Sequence, residues 1–392
     1  MTMHRNAPAF SYFLDSNTVP VRPGDALWER PLPLERGAAC GAPAVLNGPS
    51  TGDYFQAVEA FLTMENHRHL RGALPDAGWP SRQLPESVHI HLVKHGACYH
   101  PSQVVIRSGG RQFSRVVNVA VSSQGRAVFT EELGALRLLK ERAAGVIPAV
   151  YGAAENIGTH QMAMFIADWL DGFSEWHLTG GGTDKVCRRV VVWDAARGHY
   201  ELSPAQSAQL FRGTAAVLTG LYDVASSHHI GRWHHGAGDF IIRPDGAGRM
   251  DVRLITVRRY APLMAGIEDR PEDMIDALLA FLLELSLKNR LDRRDGVGDL
   301  VLSGEDAVGW TVAGFFDGLD HQARAGHLPG DFSRGFLGFV GTLGQADISH
   351  LVASLITRLP ADSEERALYC RHGDAHAAAL VSEIKARGKG CA

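Results

Sequence analysis

Residues Ser226 to Phe240 read SSHHIGRWHHGAGDF, placing His228, His229, His234, His235 and Asp239 within fifteen positions. An imidazole titrates near neutrality and can act as a general base, and histidines joined by a carboxylate suit zinc or non-haem iron. Neighbours in sequence point apart on a helix or strand, so at most one histidine of each pair could converge with Asp239 on a metal. Gly231 interrupts any helix between the pairs, and the stretch has no H-E-x-x-H. Three readings stay open: a metal centre, a catalytic or ligand-binding loop, and a polar turn whose glycines only permit tight backbone.

A second stretch, VKHGACYHP, offers Lys94, His95, Gly96 and Tyr99 to an anion, or is the tip of a hairpin with a surface lysine. Other stretches carry weaker signals. Gly180–Gly182 and Asp245–Gly248 lack the strand-to-helix setting and the lysine of a phosphate loop, so they read as turns. HGDAH at 372–376 precedes a helical run, so it reads as a chance likeness or as a helix N-cap at Asp374. RLDRRDG reads as a solvated face or turn. Trp169, Trp176 and Trp193, with Asp168, Asp171 and Glu175, mark either a ligand-contacting segment or aromatic packing.

Positioning these groups requires a scaffold, and 392 residues suffice for two lobes. Charge is balanced, 39 basic against 43 acidic residues, without the concentrated basic surface that nucleic acid requires. Five scattered cysteines, Cys40, Cys98, Cys187, Cys370 and Cys391, form no C-x-x-C and give no disulfide framework, which points to a reducing cytoplasm. The N-terminal residues lack the pattern of a signal peptide, and MIDALLAFLLELSL is too short to span a bilayer, so no membrane association is expected.

The order of elements follows from periodicity. Residues 1–86, rich in proline and glycine, read as an extension with one helix at YFQAVEAFLTMENHRHLRGAL. Residues 87–172 read as a β-rich lobe: a hairpin in VHIHLVKHGACYHPSQVVIR, a strand in QFSRVVNVAVSSQG, a helix from Thr130 as N-cap, then strands in VIPAVYG and QMAMFIADWLDG. Residues 173–392 read as a mainly helical lobe. It opens with a Ser203–Pro204 helix start, continues through the histidine-rich stretch to a hairpin about RPDGAG, and ends in further helices.

An α+β chain with this order resembles the protein-kinase-like fold, most closely the branch of aminoglycoside and choline phosphotransferases, over roughly residues 87–300. The resemblance implies ATP and Mg²⁺ and supplies roles. Ser122 stands at the phosphate-binding lysine of the third strand, and Glu131 or Glu132 at that lysine's partner. His234 stands at the catalytic aspartate, and Asp239 at the asparagine that holds metal. Thr256 stands at the second metal-binding aspartate, with Arg258 or Lys94 available to phosphate and His235 beside the catalytic position. Lys94, His95 and Gly96 occupy the turn that would cover the nucleotide.

Three charged parts are thus replaced, at Ser122, His234 and Thr256. The expectation is a pseudokinase that binds a small molecule or a protein partner in the cleft between the lobes. The alternatives are an atypical ATP- and Mg²⁺-dependent transferase with His234 as base and Asp239 as metal ligand, and a histidine-dependent metalloenzyme.

Overall fold

A computed structural model describes residues 7–14, 18–33, 48–74, 83–96, 98–194, 197–245, 248–264 and 270–390. Cys40, Cys391, and Gly246 and Ala247 of the expected turn lie outside them. The chain is mixed α/β, 43% helical and 28% strand, and divides into two units. The first comprises Met1–Lys140 and Pro148–Asp171; the second comprises Glu141–Ile147 and Gly172–Ala392.

The first unit runs β1 (Ala9–Leu14), α1 (Thr51–Gly72), β2 (Ser87–Leu92), β3 (His100–Ser108), β4 (Arg111–Ala120), α2 (Ser123–Leu138), β5 (Val150–Ile157) and β6 (Met162–Asp168). Its six-stranded sheet has the order β1-β2-β3-β4-β6-β5. Alternation in VHIHL turns Val88, Ile90 and Leu92 into a core shared with Val104, Ile106, Val117 and Val119 and with Phe55, Val58 and Phe61 of α1. Strand β6 is buried on both faces: Met162, Met164 and Ile166 join that core, while Phe165 meets Phe129 of α2.

Residues 1–86 are more than an extension. Strand β1 pairs in parallel with β2, from Ala9 opposite Ser87 to Leu14 opposite Leu92, and α1 supplies much of the core. Helix α2 also departs from expectation. It begins at Ser123, capped by Ser122, whose hydroxyl accepts the Gly125 N–H at 3.0 Å. Thr130 lies inside it, bonded through its hydroxyl to the Arg126 carbonyl. The early turn was masked by Gly125, which is needed because a Cβ there would stand 2.4 Å from the Cys98 carbonyl oxygen.

The second unit carries more strand than its apolar runs announce. It contains β7 (Glu175–Thr179), β8 (Val186–Cys187), β9 (Arg189–Asp194), β10 (Gly198–Glu201), α3 (Pro204–Leu221), β11 (His228–Arg232), β12 (Phe240–Pro244), β13 (Met250–Leu254) and β14 (Arg258–Pro262). It continues with α4 (Pro271–Lys288), β15 (Leu291–Arg293), β16 (Leu300–Ser303), α5 (Asp306–Arg324), α6 (Phe332–Gly341), α7 (Gln345–Thr357) and α8 (Glu364–Gly390). The strands form small sheets, β10-β9-β7, β11-β14, β12-β13 and β15-β16-β8.

Helix α3 starts as its sequence predicts, with Pro204 at N1 and Ser203 and Gln206 exchanging capping hydrogen bonds. It packs closely on α5, where a Cβ at Gly314 would lie 2.0 Å from the Arg212 carbonyl oxygen. Trp176, Phe211, Tyr222, Phe240, Phe315 and Phe336 are fully buried and make this unit's aromatic core. Among the described residues no single helix is long and apolar enough to cross a membrane.

Candidate functional site

Two antiparallel pairings in the second unit place the histidine-rich loop. Strand β11, which precedes the loop, pairs with β14 so that Arg232 faces Arg258, and β12, which follows it, pairs with β13 so that Phe240 faces Leu254. The segment from β13 to β14 is thereby drawn against the loop, and the Ile255 N–H donates to the Asp239 carbonyl at 2.8 Å.

Asp239 is the centre of the arrangement and is 1% exposed. Its Oδ1 accepts the Thr256 hydroxyl at 2.7 Å and stands 3.2 Å from a guanidinium nitrogen of Arg258. Its Oδ2 accepts the His234 N–H at 2.9 Å. One buried carboxylate thus fastens the start of the loop to the strand segment that follows the hairpin.

His234 precedes a single 3₁₀ turn, His235–Ala237, and its Nδ1 accepts the Gly236 N–H at 2.9 Å. An amide can only donate, so Nδ1 carries the lone pair and the proton of a neutral His234 sits on Nε2. Burial lowers its pKa, against the raising influence of Asp292 and Asp239.

His235, expected beside the catalytic position, is packed into the core of the second unit. It is 2% exposed, packs against Trp176 with ring centres 4.4 Å apart, and donates from Nε2 to the Asn289 carbonyl at 3.1 Å. Burial pushes its pKa down to about 4.

Three residues that complete the loop carry contacts their sequence setting did not assign to them. Gly238 adopts φ +68°, and a Cβ there would lie 2.8 Å from the carboxylate of Glu175. Asp292, read as part of a solvated turn, is fully buried; it accepts the Leu178 and Arg293 N–H groups, each at 2.7 Å, and lies 3.5 Å from Nδ1 of His177. For Glu175 and Asp292 the only signal was an acid beside an apolar residue, which many surface turns share.

The structure thus brings His234, Asp239, Thr256 and Arg258 together within the second unit. The remaining candidates belong to the first. Ser122 is spent on capping α2, and Glu132, 1% exposed, is in the body of that helix. Lys94, His95 and Gly96 lie between β2 and β3, where Nδ1 of His95 is 3.0 Å from Nδ1 of His100 and the Gly96 N–H donates to the Tyr99 carbonyl.

Among the described residues no three histidine, cysteine or acidic side chains are grouped to hold a metal ion. The other histidines of the stretch have separate partners: Nδ1 of His228 pairs with the Ser226 hydroxyl at 2.8 Å, and Nδ1 of His229 donates to the Ala261 carbonyl at 3.1 Å. Asp374 is not an N-cap, because α8 begins ten residues earlier at Glu364. Comparison with known proteins finds no family model that matches the chain and no curated protein significantly similar to it.

Proposed function

We propose that the chain is a two-lobed protein-kinase-like protein of the aminoglycoside and choline phosphotransferase branch in which phosphoryl transfer has given way to ligand or partner binding at the loop face of the second unit. Strand order supports the fold reading: β2-β3-β4-β6-β5 with α2 following the third of these strands, and, in the second unit, α3, β11, loop, hairpin β12–β13 and a return of β14 to β11. Under this reading Asp239 and Thr256 occupy the two metal-binding positions, and they are hydrogen-bonded to each other.

One observation carries the functional reading. Asp239 is buried with its charge met by Arg258 and its two oxygens accepting from Thr256 and His234. A Mg²⁺ ligand needs an oxygen turned toward the ion, and ordinary phosphoryl transfer needs the ion's charge on the phosphates. Here the guanidinium takes the cation's place. His234 argues in the same direction, since its only lone pair is engaged by Gly236 and its Nε2–H offers a donor rather than a base.

Asp239→Asn supplies the test through the sign of its effect. Removing a carboxylate from an empty metal site relieves repulsion and raises stability, whereas removing one from a buried ion pair lowers it. Thermal unfolding without ligand is expected to show a loss, and ATP is expected to give no Mg²⁺-dependent rise. A rise of about 2.7 kcal/mol at hundredfold excess over Kd, dependent on Mg²⁺ and abolished by Asp239→Asn, would overturn the reading and restore an ATP-dependent transferase.

A further inference from the structure

The stretch HGACYH is left unused by the reading above. It places His95, Cys98 and His100 within six residues of the first unit, in the spacing H-x-x-C-x-H, with His100 opening β3. Nδ1 of His95 and Nδ1 of His100 lie 3.0 Å apart, with the ring planes inclined by 67°. A tetrahedral ion with metal–nitrogen bonds of about 2.05 Å holds two ligand nitrogens about 3.3 Å apart. The two imidazoles therefore stand close to the bite of such an ion.

We propose that His95, Cys98 and His100 form a binding site for a borderline-soft divalent ion, zinc by preference. Two histidine nitrogens and a thiolate are a donor set that zinc takes readily, with water in the fourth position. Cys98 is not in a disulfide. The histidines form the clasp, and the thiol completes the set by a rotation of its side chain, since no three ligands converge in this structure.

His100 is 3% exposed on β3, with its carbonyl held by the Tyr54 hydroxyl, so one arm of the clasp is rigid. His95 and Cys98 are partly exposed, so an ion can reach both side chains from solvent. Burial lowers the pKa of both imidazoles, that of His100 to about 4, and Arg30 acts in the same direction on His95. Arg30 opposes a bare dication bound by neutral ligands alone, and thiolate ligation offsets that charge.

The site stands on the first unit alone and is independent of the proposed function. Its test is equilibrium dialysis of the full chain against Zn²⁺, with Co²⁺ as the spectroscopic probe. One equivalent of ion is expected, with a thiolate-to-cobalt absorption band. His95→Ala is expected to weaken binding by at least about 100-fold, and Cys98→Ser to remove the band. Both metal-free variants should melt close to the wild type, which separates lost ligation from lost folding. Failure to bind one equivalent, a cobalt spectrum without the thiolate band, or unaltered binding in His95→Ala would each overturn the proposal.

Discussion

The two histidine-bearing loops, Lys94–Tyr99 and His234–Asp239, have similar letters and opposite construction. Both combine histidine and glycine between regular elements. In the second loop the polar atoms of Asp239 and Nδ1 of His234 are satisfied from within the same unit, by Thr256, Arg258 and backbone amides. In the first, the His95 imidazole meets that of His100 at the start of β3. A buried carboxylate makes the difference: it must collect donors to stay charged, and in doing so it fixes the loop around it.

The largest expected effect breaks the second loop at that carboxylate. Asp239→Asn should cost about 3 kcal/mol, toward the low end for a buried pair because Arg258 is partly exposed. Urea unfolding measures it, and a change below about 1 kcal/mol would place Asp239 with ordinary surface pairs.

Acid sharpens the contrast next. His235 titrates in the folded state at about 4, with burial outweighing the opposing pull of Asp292. The unfolded imidazole titrates near 6.5. Between these values the unfolded chain holds the extra proton, so stability falls as pH falls through 6.5, and the loss is complete near pH 4. The expected contribution is about 3 kcal/mol. It should shrink in a His235→Gln variant, and an unchanged pH dependence would detach the acid response from this ring.

Gly238→Ala comes third. A side chain at φ +68° facing the Glu175 carboxylate should cost about 1–2 kcal/mol, read as a lower melting temperature. If it costs nothing, the loop is less tightly held than its contacts imply. The smallest effect belongs to the first loop, where metal-free His95→Ala loses one imidazole hydrogen bond and about 0.5–1 kcal/mol. A larger loss would show that this loop too is a structural fastening.

Much of the scaffold could be read from periodicity. The β2–β3 hairpin, the capped start of α3 and the β12–β13 hairpin each carry their signal within one short stretch. Elements stabilised by distant partners left no such signal. Strand β1 owes its place to β2, and Gly125 conceals the first turn of α2 by meeting Cys98, outside the helix itself. The short strands β7–β10, β15 and β16 are too brief for alternation to stand out.

The site divides in the same way. Thr256 reaches Asp239 because the β12–β13 hairpin fixes the register between the segments that carry them. Asp292 and Glu175 could not be found so, since their contact with the loop depends on how the chain returns after α4 and before β7.

The parallel pairing of β1 with β2 also sets a clock. Ala9 and Ser87 are partners 78 positions apart, so on a ribosome adding about 5–20 residues per second the first strand waits about 4–16 s for its neighbour. During that interval AFSYFL is an aromatic segment with an unmade edge on a nascent chain. Yield in a cell is therefore governed partly by what shields those six residues before the sheet exists, a quantity that measurements on the finished protein do not register.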